Sequence, residues 1–162
     1  MIETSRCRIK PVIGMDIPDI WKLYKDESVW TYLGGSRNGI KAIKGIIGMI
    51  FPSSNCLYWT VRHRETKTFL GCISLTPHHD GESIEVSYEF LSSHWGQGYA
   101  YQAVSAVIEH TRLDTLVAET QVANTASRVL LAKLGFHEKE RLTRFGAEQI
   151  IFIRRNHDDS ST

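Results

Sequence analysis

Apolar and polar positions follow two different periods along this chain, and the switches between them predict an alternating order of strands and helices. A period of two, or a short apolar run rich in β-branched and aromatic residues, marks strands. Such stretches run from Cys7 to Val12, Leu57 to Arg64, Phe69 to Thr76, Ile84 to Leu91, Thr115 to Gln121, Phe136 to Arg144 and Gln149 to Arg154. A helical period marks the segments between them. Asp16 is placed to cap a helix through Tyr24, with Pro18 tolerated in its first turn. Ile40 to Phe51 is helical in pattern, weakened by Gly45 and Gly48. Tyr99 to Thr111 carries Ala103, Val104, Ala106, Val107 and Ile108 at helical spacing, and another helix follows Asn124. Polar turns stand at Arg64-Glu65-Thr66-Lys67, Pro77-His78-His79-Asp80-Gly81 and Phe145-Gly146. The order β-α-α-β-β-β-α-β-α-β-β predicts one α/β domain over residues 1–155, a mixed sheet with helices on both sides. Residues 156–162 read as a polar, disordered tail.

Composition narrows the class. A chain of 162 residues with 42% hydrophobic and 23% charged content has room for one substantial core. A net charge of +1 leaves no basic footprint for nucleic acid. The longest apolar run, near Ile46 to Phe51, is far shorter than the roughly 20 residues that span a bilayer. Met1-Ile2-Glu3 opens no secretory pattern, and Cys7, Cys56 and Cys72 are odd in number and widely spaced. A reducing cytoplasm is the expectation. Monomer and homodimer both stay open.

The most informative segment is Trp95-Gly96-Gln97-Gly98-Tyr99-Ala100, between the strand ending at Leu91 and the helix starting at Tyr99. Glycines at such a turn let backbone approach a ligand closely, and the free N–H groups of the following helix turn face an anion. No Lys or Arg stands in the loop itself, so backbone amides would do most of the holding of a nucleotide or coenzyme pyrophosphate. A P-loop needs Gly-x-x-x-x-Gly-Lys-Ser/Thr, which is absent. A dinucleotide fingerprint needs a third glycine where Tyr101 stands.

What remains resembles the pyrophosphate loop of the GNAT N-acetyltransferases, Gln/Arg-x-x-Gly-x-Gly/Ala, with Trp95 at the Gln/Arg position. Trp-Gly-x-Gly-Tyr-Ala is similar to the variant in the subgroup that acetylates the N-termini of ribosomal proteins. Asn124-Thr125-Ala126-Ser127 through Lys133-Leu134-Gly135-Phe136 resembles that family's Asn-x-x-Ser-x-x-Leu-x-x-Lys-Leu-Gly-Phe helix. Thr4-Ser5-Arg6-Cys7-Arg8-Ile9-Lys10-Pro11 is similar to the subgroup's first strand. By themselves these residues have plainer roles: Asn124 caps a helix, Ser127 fills its first turn, Gly135 stops it and Lys133 favours its negative end.

The resemblance implies a mostly antiparallel central sheet with one splayed strand pair that admits the pantetheine arm of acetyl-coenzyme A, and no metal. It implies acetyl transfer to a primary amine, foremost a protein N-terminal amine. A polyamine or antibiotic amine is the alternative, as is a silent acyl-coenzyme A-binding module. Gly96, Gln97, Gly98, Tyr99 and Ala100 would surround the pyrophosphate, Phe90 and Leu91 would offer strand-end backbone, Asn124 would contact pantetheine and Lys133 a phosphate. Ser127 matches the serine that protonates the thiolate, and the family's tyrosine acid has no clear counterpart. Glu85 matches the region of the general base, with an exposed strand charge as the other reading and Glu89 as second candidate. Trp30 and Tyr32 lie where the acceptor site is walled, or simply pack. His78-His79-Asp80 lies in one turn without a partner strand in view and reads as a solvated turn.

Overall fold

The computed structural model describes residues 1–33 and 39–156, so the predicted tail lies outside the described residues from 157 onward. The elements are β1 (Ile2–Glu3), β2 (Cys7–Pro11), α1 (Ile17–Lys25), α2 (Glu27–Trp30), α3 (Gly39–Ile50), β3 (Leu57–His63), β4 (Phe69–Pro77), β5 (Ile84–Phe90), α4 (Tyr99–Thr111), β6 (Thr115–Gln121), α5 (Thr125–Lys133), β7 (His137–Arg144) and β8 (Ala147–Arg155). The strands form one sheet in the order β1-β2-β3-β4-β5-β6-β8-β7. All neighbours are antiparallel except β5 and β6.

That parallel pair positions the site. β4 and β5 are registered from Gly71↔Phe90 to Pro77↔Ile84, and β6 and β8 from Thr115↔Arg155 to Gln121↔Gln149. Between them, β5 and β6 meet at Glu85↔Val117 alone. The two strands therefore touch near their beginnings and separate toward Phe90 and Gln121. This is the expected splayed pair in a mostly antiparallel sheet.

Two apolar layers flank the sheet. On one face Ala103, Val104, Val107 and Ile108 of α4 and Leu131 of α5 pack with Val86, Phe90, Leu116 and Ala118. On the other, Ile20 and Leu23 of α1, Val29 and Trp30 of α2 and Ile46 of α3 pack with Phe69 and Cys72. Alternation along β5 then sends Val86 and Phe90 to the first layer and Glu85, Ser87 and Glu89 to the second face.

Two local features differ from the sequence reading. Asp16 makes no side-chain cap, because a short 3₁₀ turn over Gly14–Asp16 already puts its backbone in the helical region. Its carboxylate instead accepts the Ile13 N–H at 2.9 Å and pairs with Arg62 at 2.9 Å. The four-residue α2 is too short to show a period, and Asp26 caps it by accepting the Ser28 N–H at 3.2 Å. The closing hairpin turns at Phe145 and Gly146, both left-handed, as the pattern predicts.

Candidate active site

Beyond Phe90 the chain makes a 3₁₀ turn over Ser92–His94 before reaching the glycines. Trp95 does not enter the core; it is about half exposed, and its indole N–H donates to the Phe90 carbonyl at 2.7 Å. Gly96 and Gly98 adopt φ of 73° and 82°, a region that strains residues with a Cβ. Gly98 is the N-cap of α4 without any side-chain cap, and the Gln102 N–H donates to its carbonyl at 3.1 Å. The N–H groups of Tyr99, Ala100 and Tyr101 precede that bond and form an open anion site at the positive end of the helix.

A cation missed from the sequence stands beside this loop. Arg6 donates to the Gln97 carbonyl at 2.8 Å and lies 4.6 Å above the Tyr99 ring. Gln102 of α4 holds the Arg6 segment, accepting from the Arg6 N–H at 3.2 Å and the Thr4 hydroxyl at 2.7 Å. The contact joins residues about ninety positions apart, so neither local sequence predicts it.

The ladder fixes which backbone groups face the opening between β5 and β6. Leu91 donates its N–H to the Leu70 carbonyl at 2.9 Å and accepts from the His94 N–H at 2.9 Å. Its backbone is thus engaged, contrary to the expectation that it is offered to the pantetheine arm. In an antiparallel ladder alternate residues turn both groups to the same neighbour. Tyr88 and Phe90 therefore turn their N–H groups toward β6, past the single register point. The Phe90 carbonyl is shared with Trp95, leaving its N–H as that residue's contribution.

Asn124 caps α5, accepting the Ser127 N–H at 3.2 Å. That places the Ser127 hydroxyl 2.8 Å from the Tyr88 phenol. Burial, opposed by the Ser127 hydrogen bond and reinforced by Glu89, pushes the Tyr88 phenol up to about 12, so it keeps its proton near neutrality. Tyr88 was missed because strand periodicity gives a buried tyrosine an ordinary packing role. Lys133 is exposed at the other end of α5, about 13 Å along the helix from Asn124. The structure does not bring it to the cluster.

On the opposite face of β5 a cavity of about 240 Å³ is lined by Tyr24, Trp30, Met49, Tyr58, Ser87 and Glu89, among others. Trp30 is buried, stacks on Tyr24 at 5.2 Å between ring centres, and donates its indole N–H to the Leu23 carbonyl at 3.2 Å. Tyr32 is exposed and is not among the lining residues. Glu85 lies two residues along the strand from Ser87, whose hydroxyl donates to it at 3.3 Å. Burial raises the Glu85 carboxyl above its ordinary range, His78 opposes this and Glu119 adds to it.

The histidine turn is only partly solvated, contrary to expectation: His79 and Asp80 are exposed but His78 is not. His78 is 3% exposed, and Glu119 of β6 supplies the missing partner strand, 3.0 Å from His78 and 2.9 Å from His79. The interacting residues are about forty positions apart, which hides the pairing from local inspection.

A glycine-bounded anion site at a helix start, a splayed parallel pair beside it and a pocket behind the strand define a coenzyme-dependent transferase architecture. Residues 6–137 match the family described as the acetyltransferase (GNAT) domain, and the chain belongs to it. It is an acetyl-coenzyme A-dependent N-acetyltransferase. It is 25% identical to YoaA, an uncharacterized N-acetyltransferase of Bacillus subtilis, over 90% of this chain and 87% of that one. Its fold superposes with a TM-score of 0.79 on the spermidine N-acetyltransferase of Vibrio cholerae in complex with CoA and spermine, at 14% identity, covering 94% and 96% of the two chains. It superposes at 0.78 on an acetyltransferase of Salmonella typhimurium that modifies the N-terminal serine of a ribosomal protein, at 14% identity and the same coverage. Among the described residues no helix is long and apolar enough to cross a membrane.

Proposed function

We propose that the chain acetylates the N-terminal amine of a protein, using the cavity behind β5 as the acceptor site. The observation that carries this reading is the cavity's composition. Among the described lining residues Glu89 is the one carboxylate; Ile20, Leu23, Tyr24, Trp30 and Met49 line the cavity with it, as do the hydroxyls of Ser74, Thr76 and Ser87. A polyamine carries several ammonium groups and gains most from several carboxylates, whereas a peptide brings one amine followed by side chains that suit an apolar wall. The two structural relatives named above act on one acceptor of each kind, so the reading is supported by the lining and not by the fold.

In this reading the pyrophosphate of acetyl-coenzyme A sits on the Tyr99, Ala100 and Tyr101 amides, with Arg6 alongside and Asn124 near the pantetheine arm. That arm enters the opening of β5 and β6, where the Tyr88 N–H meets the oxygen that becomes negative in the tetrahedral intermediate. The acceptor amine comes from the opposite face and loses its proton to Glu85, directly or through water. The departing thiolate takes a proton from Ser127. The free thiols of Cys7, Cys56 and Cys72 support a reducing compartment.

The test is a screen with acetyl-coenzyme A against short peptides with free N-termini, spermidine and aminoglycosides, read as coenzyme A thiol release. The expected result is a kcat/KM for at least one peptide that exceeds those for the small amines. Faster turnover of spermidine than of every peptide overturns the acceptor assignment and leaves the transferase chemistry in place.

A further inference from the structure

Three ligand atoms converge at the closed end of the β5–β6 pair. The Nε2 atoms of His78 and His79 lie 3.0 and 2.9 Å from the same oxygen of Glu119, and the three groups fall within 4.8 Å of one another. We propose that His78, His79 and Glu119 form a binding site for a divalent transition-metal ion of the zinc type.

The donor set is right for such an ion: two imidazole nitrogens and one carboxylate, with a fourth position open to water. Bonds of about 2.0–2.2 Å in tetrahedral geometry hold ligand atoms about 3.3 Å apart. The two histidine–Glu119 spacings need only a few tenths of an ångström of spreading to admit the ion.

The surroundings support the same reading. The His78 side chain is almost inaccessible, and its far nitrogen, Nδ1, has the Asp80 carboxylate at 3.2 Å; the Asp80 N–H, which donates to Nδ1 at 3.3 Å, must turn aside for that nitrogen to carry the proton. A carboxylate behind a histidine fixes its proton on the far nitrogen and turns the other lone pair toward a metal. Asp80 is itself held by the Ser83 N–H at 2.8 Å, the Ser83 hydroxyl at 2.7 Å and the Glu82 N–H at 2.9 Å.

Charge gives a third argument. Asp80, Glu85 and Glu119 bring three negative charges, and Arg144, 3.1 Å from Glu119, brings one positive. With neutral imidazoles the cluster is short of two positive charges, which a dication supplies. Arg144 is one-third exposed and rests on the Phe145 ring, so it has room to withdraw as an ion enters. Protonating both imidazoles would balance the same charges, and that arrangement binds no metal.

Protein stripped with chelator and titrated with zinc chloride by calorimetry, and with cobalt chloride by visible absorption, decides between them. The expected result is one saturable equivalent, with cobalt bands characteristic of low coordination number. His79→Ala and Glu119→Gln should each weaken binding by about tenfold or more, and Asp80→Asn by about 10–100-fold. His79 is partly exposed, so its variant should fold normally, checked by circular dichroism, even if Glu119→Gln does not. Absence of saturable binding overturns the proposal. So does binding that His79→Ala leaves unchanged, which would place the ion elsewhere, for example on Cys56.

Discussion

The Tyr88 phenol stands 2.8 Å from the Ser127 hydroxyl, joining the strand before the glycine loop to the first turn of α5. The contact lies where β5 and β6 have parted, next to the path proposed for the pantetheine arm. A hydroxyl backed by a phenol that keeps its proton can supply one to a thiolate and be resupplied. Ser127→Ala should therefore lower kcat by about 10²-fold, the low end for a positioned acid because a thiolate leaves readily. The KM for acetyl-coenzyme A should change little. Tyr88→Phe should lose less, since Ser127 remains. Stopped-flow thiol release and coenzyme titration separate the cases. Equal loss of affinity and turnover in Ser127→Ala would make the serine a binding group.

Gly98 combines a left-handed backbone with close quarters, since a Cβ there would lie 3.0 Å from an Arg6 guanidinium nitrogen. Gly98→Val should strain the α4 N-cap and push Arg6 away from the loop. Wild-type protein should melt at higher temperature as coenzyme A is added, following linkage. The variant should lose most of that rise at the same ligand concentration. A folded variant with the wild-type rise would move the pyrophosphate elsewhere.

Strand and helix order was readable because each long segment keeps one period and ends at a turn residue. Asn124 and Gly135 behave in the fold as their local chemistry dictates: one caps α5, and the other leaves it with φ of 85°. What local reading could not reach are the pairings across the sheet. Arg6 meets Gln97, His78 meets Glu119 and Tyr88 meets Ser127 only after distant strands align. Leu91 shows the reverse failure: its place at the strand end was right, but its N–H was already committed to Leu70. Tyr32 was grouped with Trp30 by nearness in sequence, while the short α2 buries the tryptophan and leaves the tyrosine outside.

Asp26 links α2 to the turn before the glycines, accepting the Ser92 N–H at 2.8 Å and its hydroxyl at 2.7 Å while it caps α2. Burial disfavours its charge, but the Ser92, Val29 and Ser28 hydrogen bonds prevail and hold the carboxyl below its ordinary value. A depressed folded-state value adds stability that is fully present above the unfolded value of about 3.9 and is lost as pH falls through the folded one. Asp26→Ala should cost about 1–3 kcal/mol near neutrality through the lost cap and charge-assisted bonds. Melting curves of both proteins should converge as pH drops below about 4. A gap that stays constant into that range would show that the carboxylate's charge is not what the clamp uses.

Glu85 and Glu89 lie on the same face of β5, four residues apart, and their proposed tasks differ. Glu89 lines the cavity proposed to receive the acceptor, whereas Glu85 sits four residues earlier, beside the register point that closes the β5–β6 opening. Burial raises the Glu85 carboxyl, which brings it closer to the range of an effective base near neutrality. Glu85→Gln keeps the shape and removes the basic oxygen. It should lower kcat by about 10²–10⁴-fold with an acceptor that is mostly ammonium at the assay pH. The deficit should narrow at alkaline pH, where more amine arrives already neutral. Coenzyme affinity should be unaffected, because the contacts proposed for pyrophosphate and pantetheine are elsewhere. Glu89→Gln should instead raise the acceptor KM with a smaller change in kcat, as expected when a charge that holds the ammonium is lost. The two variants, assayed on one peptide acceptor over a range of pH, test both assignments together. If Glu89→Gln carries the large, alkali-relieved loss of kcat and Glu85→Gln turns over normally, Glu89 is the base and Glu85 belongs to the charge cluster around His78.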